Sequence, residues 1–128
     1  MNHQLRNSGG FTLLELLIVI AIVSILSAIA VPQLNAYKRN AFIDEVKIDL
    51  KNAALFQEAY FIDNDSYTGS VATLTSSGFR QNTQVVLGIT VGVGGQSFSI
   101  TATHNNCGSD TWTLSMSGQV IDPVTPCN

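Results

Sequence analysis

Residues 11–31 read FTLLELLIVIAIVSILSAIAV, and only Thr12, Glu15, Ser24 and Ser27 interrupt the apolar run. At the ~1.5 Å rise per residue of an α-helix this stretch spans roughly 30 Å, the thickness of a bilayer's hydrocarbon layer. The stretch therefore predicts a membrane-crossing helix. On its N-terminal side, residues 1–10 are polar, carry His3 and Arg6, and end in Asn7-Ser8-Gly9-Gly10. On its C-terminal side helical character continues, because residues 34–62 contain neither glycine nor proline and are rich in helix formers. Pro32 falls inside the run, where the missing N–H and the ring should kink or locally melt the helix, or else separate two segments.

Beyond Pro32 two apolar stripes coexist. Leu34, Ala41, Ile48, Leu55 and Ile62 repeat every seven residues. At ~100° per residue, Ile43, Val46, Leu50 and Ala53 fall on nearly the opposite side. One side could cover the protein's own sheet while the other meets neighbouring subunits. Periodicity equally allows a helix buried in one ordinary core.

Asp63-Asn64-Asp65-Ser66 ends this helix, and residues 63–83 read as a connecting loop with room for a short turn. The two aspartates lack the spaced ligands and terminal Glu of a calcium loop, so a capped, solvated turn is the reading. Residues 84–128 are β in pattern. Val85, Leu87, Ile89, Val91 and Val93 alternate with small or polar residues, and Gly94-Gly95 offers a hairpin turn. Phe98, Ile100 and Ala102 alternate with serines and threonines. Trp112, Leu114 and Met116 follow, then a Ser117-Gly118 turn and a short Val120-Ile121 strand. An antiparallel sheet with one apolar face needs a cover, and the long helix is the element available. The fold class is α+β.

Composition excludes several functions. A chain of 128 residues holds one compact domain plus an extended element. A net charge of -3 with six basic residues supplies no basic face for nucleic acid. Cys107 and Cys127 have no further Cys or His at ligand spacing, so no metal site is read. A single disulfide in an oxidising space is the natural reading, and two reduced buried thiols are the alternative. The bridge would close a loop of about 20 residues, worth roughly 3 kcal/mol in the chain-entropy model.

His104, Ser109 and Asp110 share one loop and are residue types that hydrolases use, but nothing in their spacing is diagnostic, and no catalytic residue or cofactor is assigned. Gly88, Gly92, Gly94 and Gly95 sit in strand patterns and suit close packing or a bulge rather than a phosphate loop. Glu15 stands apart. A carboxylate in an apolar helix costs a few kcal/mol on insertion scales, so it either reaches the headgroups or meets a cation after assembly.

Gly10-Phe11-Thr12-Leu13-Leu14-Glu15 resembles the processing signal of type IV pilins and of their relatives, the pseudopilins of type II secretion. The resemblance implies that residues 1–10 are a leader cut after Gly10 by a prepilin peptidase, that Phe11 is then N-methylated, and that Glu15 is required for assembly. Pro32 matches a frequent helix break in the family. Residues 11–32 become the transmembrane and assembly half of the helix, 33–62 its amphipathic half, 63–83 the loop, and 84–128 the sheet and disulfide-bounded region. The implied partners are further copies of the chain in a helical homopolymer, the peptidase and N-methyltransferase, and an assembly platform in the inner membrane. The protein would be a single-pass inner-membrane precursor and then part of an extracellular filament. Family topology puts the leader in the cytoplasm, although Lys38 and Arg39 follow the membrane segment.

Two alternatives accompany this reading. A major pseudopilin often carries Tyr-Pro and a Gln-Gly-Leu element after its helix, whereas here Tyr67 precedes Thr68 and no Gln-Gly-Leu occurs. Ala28-Ile29-Ala30 has the form of a conventional signal-peptidase site, which would release a soluble secreted domain starting at Val31. Adhesion, motility, DNA uptake and electron transfer all remain open as filament roles.

Overall fold

In the computed structural model, which describes residues 9–124, 126 and 127, helix α1 runs from Leu13 to Asn64 without interruption. Most of the expected leader, residues 1–8, lies outside the described residues. The chain divides into two compact units, Met1–Ala36 and Tyr37–Asn128.

Within the first unit Pro32 neither melts the helix nor separates two segments: the residue lies inside α1, with helical backbone on both sides. Pro32 has no N–H to give to the carbonyl of Ala28, but the loss is one bond among the many that a 52-residue helix makes. The hydroxyls of Ser24 and Ser27 donate to the carbonyls of Ile20 and Val23, each at 2.7 Å. These polar side chains are thus satisfied within the helix itself, as an apolar medium demands.

In the second unit α1 ends where Asp65 turns left-handed, at φ 54°, and its N–H bonds back to the carbonyl of Phe61. The loop that follows contains a six-residue helix, α2 (Val71–Ser76), where the sequence suggested no more than a turn; the Ser70 hydroxyl caps it by accepting from the N–H of Thr73. Four strands make an antiparallel meander in the order β1-β2-β3-β4: β1 (Val85–Val91), β2 (Phe98–His104), β3 (Trp112–Ser115) and β4 (Val120–Ile121). The register pairs Val85 with His104 and Val91 with Phe98, then Ala102 with Trp112 and Leu114 with Val120.

The first hairpin differs from its two-glycine reading. β1 stops at Val91, and Val93–Gly95 form a 3-10 turn that leaves Val93 wholly exposed. Gly94 and Gly95 adopt φ of 75° and 72°, and the N–H of Gly92 bonds the carbonyl of Ser97, closing a wider loop than two residues allow. Met116 likewise lies outside β3 and is exposed.

The core joins both elements. Val46, Leu50 and Ala53 of α1 are fully buried together with Ile100, Ala102, Trp112 and Leu114 from the sheet and Leu74 and Phe79 from the connection. Of the two stripes, this one is covered. Ala41, Ile48, Leu55 and Ile62 are exposed. The bridge between Cys107 and Cys127 is formed, and Asp110 Oδ2 accepts the N–H of Cys127 at 2.7 Å, tying the tail to the loop before β3.

Candidate functional site

Gly9 to Thr12 are non-helical and exposed, and among the described residues, chain neighbours aside, nothing lies within 4 Å of where a Cβ on Gly9 or Gly10 would sit. Phe11 is 87% exposed. Helix α1 then starts under a reciprocal cap. Thr12 Oγ1 accepts the N–H of Glu15 at 3.1 Å, while Glu15 Oε2 accepts both the N–H of Thr12, at 2.9 Å, and its hydroxyl, at 2.8 Å. This is a capping box: T-x-x-E satisfies two backbone donors that a helix start otherwise leaves unpaired. The spacing is plain in the sequence, yet reading Glu15 only as an anomalous charge misses it. Both bonds fall on Oε2, so Oε1 has no hydrogen-bond partner among the described residues and can accept a cation.

Behind this start, every large apolar side chain from Phe11 to Val31 is exposed. Among the described residues α1 is the helix long and apolar enough to cross a membrane. Among the described residues nothing covers these side chains.

The chain matches the family model "Prokaryotic N-terminal methylation motif" over residues 5–31. It is 42% identical over 108 residues to the type IV wide pilus major component PilA4 of Thermus thermophilus, covering 84% of this chain and 81% of that protein. The chain is a type IV pilin. Two shorter matches reach a pilin and a secretion-system protein. The type IV major pilin protein PilA of Myxococcus xanthus is 41% identical over 59 residues, 46% of this pilin and 27% of that protein. The type II secretion system core protein G of Pseudomonas aeruginosa is 38% identical over 64 residues, 50% of this pilin and 45% of that protein.

Other residues singled out in the sequence are not brought together. His104 is fully buried, stacks on Phe42 with ring centroids 4.7 Å apart, and bonds Glu45 and the backbone of Asn106. Asp110 instead serves the tail. Sequence reasoning missed three polar residues of α1 that anchor the second unit of this pilin. Glu45 holds His104. Asp49, buried, accepts the N–H of Asn82 at 2.8 Å. Gln57, fully buried, clamps both backbone groups of Thr68, at 2.6 and 3.0 Å. No local pattern announces them, because their partners lie far along the chain. Burial raises the Asp49 carboxyl above the ordinary carboxylate range, the Asn82 bond opposes this, and the nearby Glu45 adds to it.

Proposed function

We propose that this pilin is the structural subunit of a type IV pilus and catalyses no reaction. Its leader, residues 1–10, is removed between Gly10 and Phe11, Phe11 is N-methylated, and the mature chain polymerises into a helical filament. Before assembly it is a single-pass inner-membrane protein crossing the bilayer with residues 11–32. Residues 33–62 form the amphipathic half of the helix, 63–83 the loop, and 84–128 the sheet and disulfide-bounded region. Its partners are a prepilin peptidase and N-methyltransferase, an inner-membrane assembly platform and its own copies.

One observation supports this reading above the rest: the run from Phe11 to Val31 is uncovered by the described residues of the chain. Burying one Leu, Ile or Val side chain gains about 1.5–3 kcal/mol, so such a run cannot stay in water. Lipid covers it in the precursor and neighbouring copies cover it in the filament. The match to core protein G of a type II secretion system reaches only half of this chain, while the match to a pilus component reaches 84% of it, which favours the pilus over a pseudopilus.

In the filament Glu15 Oε1 receives the Phe11 amine of a neighbouring copy. A subunit out of register leaves a charge buried and unpaired, at a cost of about 3–5 kcal/mol, enough to set register even if the correct pair adds little. The test is filament yield with the variant as sole subunit. Glu15→Ala is expected to insert and be cut but to accumulate in the membrane without filaments. Glu15→Gln keeps size and hydrogen bonding and removes the charge; full assembly with Gln eliminates the electrostatic role. Mass spectrometry of the mature N-terminus checks processing: a methylated Phe11 is expected, and a start at Val31 refutes the filament reading.

A further inference from the structure

The capping box bears on the processing step as well as on the helix. We infer that Thr12 is a positioning residue for leader removal: it stops α1 at Leu13 and so keeps the Gly10–Phe11 bond in exposed, non-helical chain. This rests on the reading that the chain is cut there.

Three observations converge. Residues 9–12 are non-helical, and helical backbone begins at Leu13, two residues past the bond to be cut. The Thr12 hydroxyl fills its N-cap role by accepting from Glu15, and its own N–H, which would otherwise be free to extend the ladder upstream, is held by Glu15 Oε2. Gly9, Gly10 and Phe11 are exposed, and among the described residues nothing lies within 4 Å of where a side chain on either glycine would begin, so the bond is accessible to an enzyme. A peptide bond inside a helix has its carbonyl engaged and its backbone shielded by the turn, and must be unwound before a peptidase can grip it as extended chain. Upstream, Asn7 and Ser8 are both residue types that cap helices well. Gly9 and Gly10 weaken a helix started from them, and the Thr12 cap adds to this by fixing the start at Leu13.

The experiment measures the rate of leader removal by the prepilin peptidase on full-length precursor in membranes, with Thr12 replaced by Ser, Asn and Val. Wild-type precursor must first yield Phe11 as the new N-terminus. If it does not, the processing reading itself has failed, and this inference with it. If capping is the role, rates follow N-cap strength: Ser and Asn cut like the wild type, and Val drops roughly five-fold, the factor corresponding to the ~1 kcal/mol of a typical cap. Val is nearly isosteric with Thr, so a peptidase that reads only the shape of this side chain ranks Val first and Asn last. That order overturns the inference, as does equal cutting of all four. Backbone chemical shifts of the precursors in micelles supply the second readout: Val is expected to move residues 10 and 11 toward helical values, and Ser to leave them unchanged.

Discussion

His104 and Glu45 join β2 to α1 through a 3.0 Å hydrogen bond between residues 59 positions apart. His104 Nδ1 accepts the N–H of Asn106 at 3.1 Å, so the ring proton sits on Nε2 and points at the Glu45 carboxylate. The ring is fully buried against Phe42, so all of its polar groups are met within the protein. By comparison Lys47 and Asp122, 2.9 Å apart but partly exposed, make a pair of the kind worth less than about 1 kcal/mol.

His104→Ala is therefore expected to cost about 2–4 kcal/mol, combining a lost buried ring with an Asn106 N–H left without its acceptor. Denaturation of the purified subunit, followed by the fluorescence of Trp112, measures it. A loss below about 0.5 kcal/mol shows that the bond is incidental.

Asp49→Asn tests the buried carboxylate through pH. Because burial raises the folded Asp49 above its unfolded value, the folded state binds the proton more tightly. Its contribution to stability is complete below the ordinary carboxylate value of ~3.9 and is lost as pH rises through the higher folded value. Asparagine keeps an oxygen for the Asn82 N–H and carries no charge. The variant is expected to flatten that part of the stability–pH profile and to be at least as stable as wild type at pH 7. A variant much less stable at neutral pH contradicts this account.

Cys127→Ser opens the 20-residue loop and is expected to cost roughly 3 kcal/mol, lowering subunit yield and filament number while leaving leader cleavage intact. Thiol labelling of extracted filaments checks the premise: reactive thiols at both positions rule out the bridge.

Leu50 and Leu55 lie on the same helix and should respond in opposite ways. Leu50→Ala removes a fully buried side chain and is expected to cost about 2–5 kcal/mol of subunit stability. Leu55→Asp changes a residue 67% exposed in the single chain, so the subunit stays within about 0.5 kcal/mol of wild type. If that face meets neighbouring copies, filaments are lost all the same. Normal filament numbers with Leu55→Asp exclude this face from assembly.

Much of this protein is written locally and was legible without coordinates. The run from Phe11 to Val31, the G-F-T-L-x-E signal and the alternation of Phe98, Ile100 and Ala102 each follow from short-range pattern, because helix and strand periods act over a few residues. The pairing of Cys107 with Cys127 followed from there being two cysteines. Only the tertiary structure decided which stripe of α1 is covered. Val46, Leu50 and Ala53 go inside while Ile48, Leu55 and Ile62 stay outside, and both stripes are equally apolar, so the choice belongs to the sheet they meet. The same holds for Glu45 with His104, Asp49 with Asn82 and Gln57 with Thr68, whose bonds exist only once distant segments have packed. Pro32 marks the difference most simply: its local preference is to interrupt a helix, and the cooperative hydrogen bonding of the turns on either side carries α1 through it.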